Sequence, residues 1–162
     1  MSERFEAVIN AVKLRGDARL PERMTGGSAA CDLCAALGAR IDDSDAGFGE
    51  ELTIAPGKTV MVPTGVAAAI PHGFGGFIFA RSGLGIKRGI TPANCVGVID
   101  SDYRGEIMVG LYNRSDETFT VRSGDRIAQI AIIPVALQCW IQAESLDETG
   151  RGAGGFGSTG SR

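Results

Sequence analysis

The sequence predicts an all-β fold, a sandwich or barrel with one short helix. Three observations carry this. The apolar runs are short and recur at intervals of about ten residues, as strands do. Turn signals stand between them. The 24 glycines in 162 residues are about twice the average share, and aromatics make up only 6%. No long amphipathic helical pattern interrupts the series, and no internal repeat is visible.

The predicted strands cover residues 6–14, 29–37, 51–54, 58–62, 65–70, 76–80, 95–99, 106–112, 118–121 and 126–135. A low-complexity loop, 42–49, separates the second from the third. Ala55-Pro-Gly57 turns the chain between the third and fourth, and Pro71-His-Gly73 follows the fifth. The sixth breaks at Arg81-Ser-Gly83, where a single short helix after Ser82 fits. The seventh ends at Asp100, and Ser101-Asp-Tyr-Arg-Gly105 leads on to the eighth, as in a hairpin. The eighth alternates Ile107, Val109 and Leu111 against Met108, Gly110 and Tyr112, a period of two and hence two faces. Asn113-Arg-Ser-Asp116 and Arg122-Ser-Gly-Asp125 bound the ninth and open the tenth.

Composition limits the function classes. A net charge of −3 and a pI near 5.2 argue against wrapping a nucleic acid polymer, but a few placed arginines suffice for a small phosphorylated ligand. No apolar run reaches membrane-span length. The start, Met1-Ser-Glu-Arg-Phe-Glu6, lacks a secretory pattern, so a cytoplasmic location is expected. Cys31 and Cys34 lie in an Ala/Leu-rich run without a second close pair, which reads as small buried hydrophobes rather than a zinc or redox site. His72, the only histidine, sits in a turn, so any catalytic base is expected to be a carboxylate.

Five segments carry possible chemistry. Arg81-Ser-Gly-Leu-Gly85 reads as a plain turn or as backbone N–H groups and a hydroxyl offered to an anion. Asp100 stands at the end of an apolar strand, either capping a turn or holding and deprotonating a water. Nearby, Asn94 matches the donor and acceptor edge of a pyrimidine, and the Tyr103 ring can pack on a sugar. Gln129, inside an Ile/Ala run, is a core amide or a phosphate donor, while Asp32 is a carboxylate in an apolar strand. The tail, Arg151-Gly-Ala-Gly-Gly-Phe-Gly-Ser-Thr-Gly-Ser-Arg162, reads as a disordered terminus or as a lid. As a lid, its glycines and Arg151 suit phosphates and Phe156 suits a base.

In order, these segments resemble the five motifs of the homotrimeric dUTPases. Motif one resembles Ala29-Ala-Cys-Asp-Leu33, motif two Ala80-Arg-Ser-Gly-Leu-Gly85, and motif three Gly97-Val-Ile-Asp-Ser-Asp-Tyr-Arg-Gly-Glu106. Motif four resembles Gly124-Asp-Arg-Ile-Ala-Gln129, and motif five Arg151-Gly-Ala-Gly-Gly-Phe-Gly-Ser-Thr-Gly160. Ala30 and Ala80 depart from the usual glycine and proline, outside the reacting groups.

The resemblance implies a distorted jelly roll, residues 1–150, with a flexible C-terminal lid, residues 151–162. It implies hydrolysis of dUTP to dUMP and pyrophosphate, with Mg²⁺ held by the phosphates and water and no direct protein ligand. By position, Asp100 would activate the water. Asn94 and the backbone at Gly97, Val98 and Ile99 would read uracil. Tyr103 would pack under the deoxyribose and exclude a 2′-hydroxyl, with Met108 bordering the pocket. Arg81, Ser82, Gly83 and Gln129 would bind phosphates, and Asp32 would support them. Arg151 would hold the γ-phosphate, Phe156 stack on uracil, and Gly157, Ser158 and Thr159 close over the chain of phosphates. A homotrimer with shared sites is implied. A dCTP deaminase and a non-catalytic nucleotide sensor are the competing readings; an assay for ammonia from dCTP separates the first, and the intact Asp100 and tail speak for catalysis against the second.

Overall fold

The computed structural model describes residues 8–155. Eleven strands and one helix follow in chain order: β1 Asn10–Lys13, β2 Cys31–Cys34, β3 Glu51–Ile54, β4 Thr59–Pro63, β5 Val66–Ala69, β6 Phe74–Phe79, α1 Ser82–Lys87, β7 Ile90–Pro92, β8 Gly97–Ile99, β9 Met108–Asn113, β10 Phe119–Arg122 and β11 Arg126–Pro134. Every pairing is antiparallel. A four-stranded sheet runs β2-β11-β6-β8, a three-stranded sheet β4-β9-β7, and two ribbons pair β1 with β5 and β10 with β3. The arrangement is a distorted jelly roll around a main apolar core, with a smaller buried cluster of Ala18, Ala36 and Val66 apart from it.

Period-two patterning builds that core. Along β9, Val109 and Leu111 point inward with Ile107 just before them, as the alternation predicts. They meet Leu33, Ile54, Val62, Ile78, Val121 and Ile127 from the surrounding sheets. Burying such side chains contributes about 1.5–3 kcal/mol each. Asn113 is also fully buried, and its amide is satisfied on both sides. Its Nδ2 donates to the carbonyls of Ile54 (2.8 Å) and Glu117 (2.7 Å), and its Oδ1 accepts from the Ser115 amide (2.9 Å). This pins the turn before β10.

All ten predicted strands have a counterpart, and three differences stand out. β7 was not anticipated, because three residues are too few to show a period. The predicted hairpin across Asp100 does not form: β8 pairs with β6 and β9 with β4 and β7. The segment after Asp100 is instead a crossing between two sheets. The reason is that Gly97 and Ile99 fit against Ile78 and Gly76 of β6, where a Cβ on Gly97 would come within 3.1 Å of the Ile78 Cβ. β2 is also shorter than predicted, because beyond Cys34 the amides of Ala35 and Ala36 turn to the carbonyls of Asp125 and Pro63.

Candidate active site

Strand register assembles the first cluster. Asp32 on β2 stands opposite Gln129 on β11, which stands opposite Phe79 on β6. Cross-strand partners share a face, and Arg81, two residues past Phe79, continues that face. The Asp32 carboxylate, only 5% exposed, accepts from three groups. Arg81 Nε and Gln129 Nε2 donate to its Oδ1 at 3.1 and 3.3 Å, and Arg126 Nη1 to its Oδ2 at 3.1 Å. Arg81 Nη1 also donates to the Arg126 carbonyl at 3.0 Å. The arginine is thus held in one orientation at the start of α1, beside exposed Ser82 and Gly83. Segments resembling motifs one, two and four meet here.

The second cluster surrounds Asp100. A cavity of about 330 Å³ is lined by Met61, Val98, Ile99, Asp100, Tyr103, Glu106 and Met108. That volume lies at the lower end of small-ligand sites. β8 brings Val98 and Ile99, while Met61 and Met108 come from the outer faces of β4 and β9. Gly110 leaves room for the first: a Cβ there would lie 3.1 Å from the Met61 sulfur. The Tyr103 ring folds back across Gly105, and its hydroxyl donates to the Glu106 carbonyl at 3.0 Å. Asn94 is exposed in the turn before β8, next to Cys95, whose φ of 63° marks a tight bend.

Met61 and Glu106 were not anticipated as site residues. The alternation of 58–62 sets Met61 against Val60 and Val62, and that was the one available signal. Glu106 is a third feature of interest. Its side chain is 8% exposed and pairs with a fully buried Arg15. Burial opposes the Arg15 charge, but hydrogen bonds from its guanidinium to Glu106 and Asp45 hold its pKa above the ordinary value. Burial also pushes up the thiols of Cys31 and Cys34, in keeping with small apolar side chains.

Not every predicted residue is brought together. Arg151 is exposed in a turn whose Gly154 carbonyl accepts from its Nε at 2.9 Å. Phe156, Gly157, Ser158 and Thr159 lie outside the described residues. A second cavity, about 520 Å³ and mostly apolar, is lined by residues such as Leu20, Ala30, Val66 and Ile130 and contains none of the predicted site residues. Among the described residues, no group of three or more His, Cys, Asp or Glu could hold a metal ion, and no helix is long and apolar enough to cross a membrane.

Comparison with known proteins points one way. The dUTPase family profile matches residues 17–160. A deoxyuridine 5′-triphosphate nucleotidohydrolase from Desulfitobacterium hafniense is 52% identical over 143 residues, 88% of this chain and 87% of that protein. One of the same name from Azotobacter vinelandii is 45% identical over 158 residues, 97% of each. Among solved structures, the dUTPase of Staphylococcus bacteriophage 80alpha with dUPNHPP superposes with a TM-score of 0.80 at 25% identity, covering 94% of this chain and 98% of that one. A dUTPase mutant from phage phi11 of S. aureus, described with a structural Mg(II) ion, shares the fold at 23% identity and a TM-score of 0.72, covering 85% of this chain and 97% of that one.

Proposed function

The chain belongs to the dUTPase family, and from that premise we propose how its residues hydrolyse dUTP to dUMP and pyrophosphate. Asp100 accepts a proton from the water that attacks the α-phosphorus, and pyrophosphate leaves in line. The observation that carries this is the cavity lined together by Asp100, Tyr103 and Val98 and Ile99 of β8. Asn94 and the backbone at Gly97, Val98 and Ile99 offer paired donors and acceptors to the uracil edge. Tyr103 and Met108 flank the deoxyribose, and the ring leaves no room for a 2′-oxygen. Arg81, Ser82, Gly83 and Gln129 take the phosphates.

Mg²⁺ fits this donor set as a phosphate-bound ion. The buried carboxylate of the phosphate cluster, Asp32, already accepts from Arg81, Arg126 and Gln129 and is left to orient them. When bound, the ion neutralises triphosphate charge. In the tail, Arg151 compensates γ-phosphate charge, and Phe156 with Gly157, Ser158 and Thr159 excludes water after substrate enters. On this reading residues 1–150 are the core and 151–162 a lid.

Two observations support a homotrimer with shared sites. In one chain, Ile99, the residue before Asp100, pairs with Gly76 near the start of β6, whereas Arg81 lies past the other end of that strand, about 17 Å further on at ~3.3 Å per residue. Arg81 moreover turns toward β2, away from β8. This separation favours a site in which the two clusters come from different chains. The second observation is an arm, residues 135–148, without helix or strand, which leaves Leu137, Trp140, Ile141 and Leu146 between 69% and 90% exposed. Such a segment needs a neighbour to cover it.

Pyrophosphate release across the deoxynucleoside triphosphates tests the activity. dUTP should be turned over far faster than dCTP or dTTP; ammonia from dCTP would replace the reading with deamination. Chain sharing is tested by co-expressing an Asp100→Asn chain with one truncated after Gly150. Each alone should be nearly inactive. With random mixing about one quarter of sites receive both an intact Asp100 and a tail, if these come from different chains. Mixed trimers without activity would refute the shared site.

A further inference from the structure

We propose that Glu106, clamped by Arg15, is a positioning residue that fixes the Tyr103 ring and so sets discrimination between deoxyribose and ribose. The inference rests on reading Tyr103 as the wall against the sugar.

The segment from Ser101 to Gly105 crosses between two sheets without ladder bonds of its own. Its start is tied by the Tyr103 amide, which donates to the Asp100 carbonyl at 3.2 Å. Its end is tied at Glu106, by both carboxylate oxygens. Oε1 accepts from Arg15 Nε at 2.9 Å and from the Gly65 amide at 2.8 Å. Oε2 accepts from Arg15 Nη2 at 3.2 Å and from Arg40 Nη1 at 3.3 Å.

Arg15 is itself immobilised. It is 2% exposed, and its Nη1 donates to the Gly38 carbonyl and its Nη2 to Asp45 Oδ2, each at 2.6 Å. Its guanidinium also lies 5.4 Å from the centre of the Phe48 ring. A buried guanidinium with this many acceptors cannot move without leaving a charge unpaired. The carbonyl of the residue so fixed is the one that receives the Tyr103 hydroxyl. Gly105 completes the seat: a Cβ there would lie 2.6 Å from Tyr103 Cζ, so the ring lies against bare backbone. The clamp therefore transmits from a charge network remote from the phosphates to the position of one ring edge. Because a steric wall discriminates only where it is held, loosening the clamp should admit the 2′-hydroxyl.

The test compares kcat/KM for UTP and dUTP in Tyr103→Phe, Glu106→Gln and Tyr103→Ala. Tyr103→Phe leaves the ion network whole and removes only the tether; Glu106→Gln keeps the side-chain shape and weakens the clamp. Each should raise the UTP/dUTP ratio by roughly tenfold, the worth of about one hydrogen bond. A residue needed only for folding would lower both substrates in proportion, so an unchanged ratio in either folded variant overturns the proposal. If Glu106→Gln does not fold, Tyr103→Phe decides alone. Tyr103→Ala separates the two levels. A changed ratio there with unchanged ratios in the other two refutes the clamp and keeps the wall; an unchanged ratio in Tyr103→Ala refutes both.

Discussion

Replacing Asp32 by asparagine should impair catalysis more than folding. The carboxylate accepts at 3.1 Å from Arg81, at 3.1 Å from Arg126 and at 3.3 Å from Gln129. An amide keeps one oxygen, which can serve Arg81 and Gln129, and turns its NH₂ toward Arg126. The Arg126 side chain is 48% exposed and can turn to water, so its loss costs about 1 kcal/mol at most. The Arg81 side chain is 22% exposed, and its bond to a neutral amide oxygen loses the ion-pair attraction although the guanidinium keeps its charge, another ~1 kcal/mol. Stability should therefore drop by about 2 kcal/mol, measured by urea unfolding at pH 7. Activity should fall further. Arg81 then samples orientations that miss the phosphates, and a misplacement of about 1 Å costs on the order of 100-fold in rate. Steady-state pyrophosphate release gives kcat/KM. A folded variant with wild-type kcat/KM would show that Arg81 needs no anchor, and a variant too unstable to purify would make Asp32 a residue of the fold rather than of the site.

Three further outcomes follow from the geometry. Asp100→Asn should lower kcat by about 10²–10⁴ while dUTP binding persists, because the amide keeps the shape and takes no proton; near wild-type kcat would remove Asp100 as the base. Gly105→Ala should raise the dUTP KM by roughly tenfold with little change in Tm, since the Cβ displaces only the far end of Tyr103, a residue that lines the cavity; an unchanged KM would mean that the ring does not border the substrate. Asp17 should contribute to the acid limb of stability. Burial raises its pKa, but the hydrogen bonds from Ser123 and from backbone amides including Gly38 outweigh this and hold it below the ordinary carboxylate value. A depressed pKa gives stability that is present above about pH 4 and is lost as pH falls through the folded value. Asp17→Asn should thus cost stability at pH 7 and less at pH 3, and an equal loss at both would refute the assignment.

The strands were legible because one face of each is buried. Ile107, Val109 and Leu111 repeat at two, and only a strand places all three in the core. Strand partners were not legible in the same way. Sequence adjacency suggested that β8 and β9 form a hairpin across Asp100, and the local turn residues permit it. What decides against it is the fit of Gly97 and Ile99 onto β6, a contact between residues about twenty apart that leaves no local trace. β7 escaped notice for a related reason: Ile90 is buried, but three residues define no period.

The site shows the same division between local chemistry and distant geometry. Asp32 and Gln129 stood out as polar groups in apolar strands, and the register makes them direct partners. Their meaning required Arg81, which reaches the same face only because β6 lies beside β11. Glu106 was visible merely as the last residue of a motif, since its partner Arg15 is 91 positions away and no short pattern links them. Arg15, Glu106 and Asp45 form a charge network that is not required by phosphate chemistry and that a well-packed apolar cluster could replace for stability alone. Its presence is explained if orientation is what it provides: Asp100 and Tyr103, the groups we propose to face the water and the sugar, lie at and within a crossing without ladder bonds, so an ionic clamp behind them supplies the rigidity that a sheet would otherwise give.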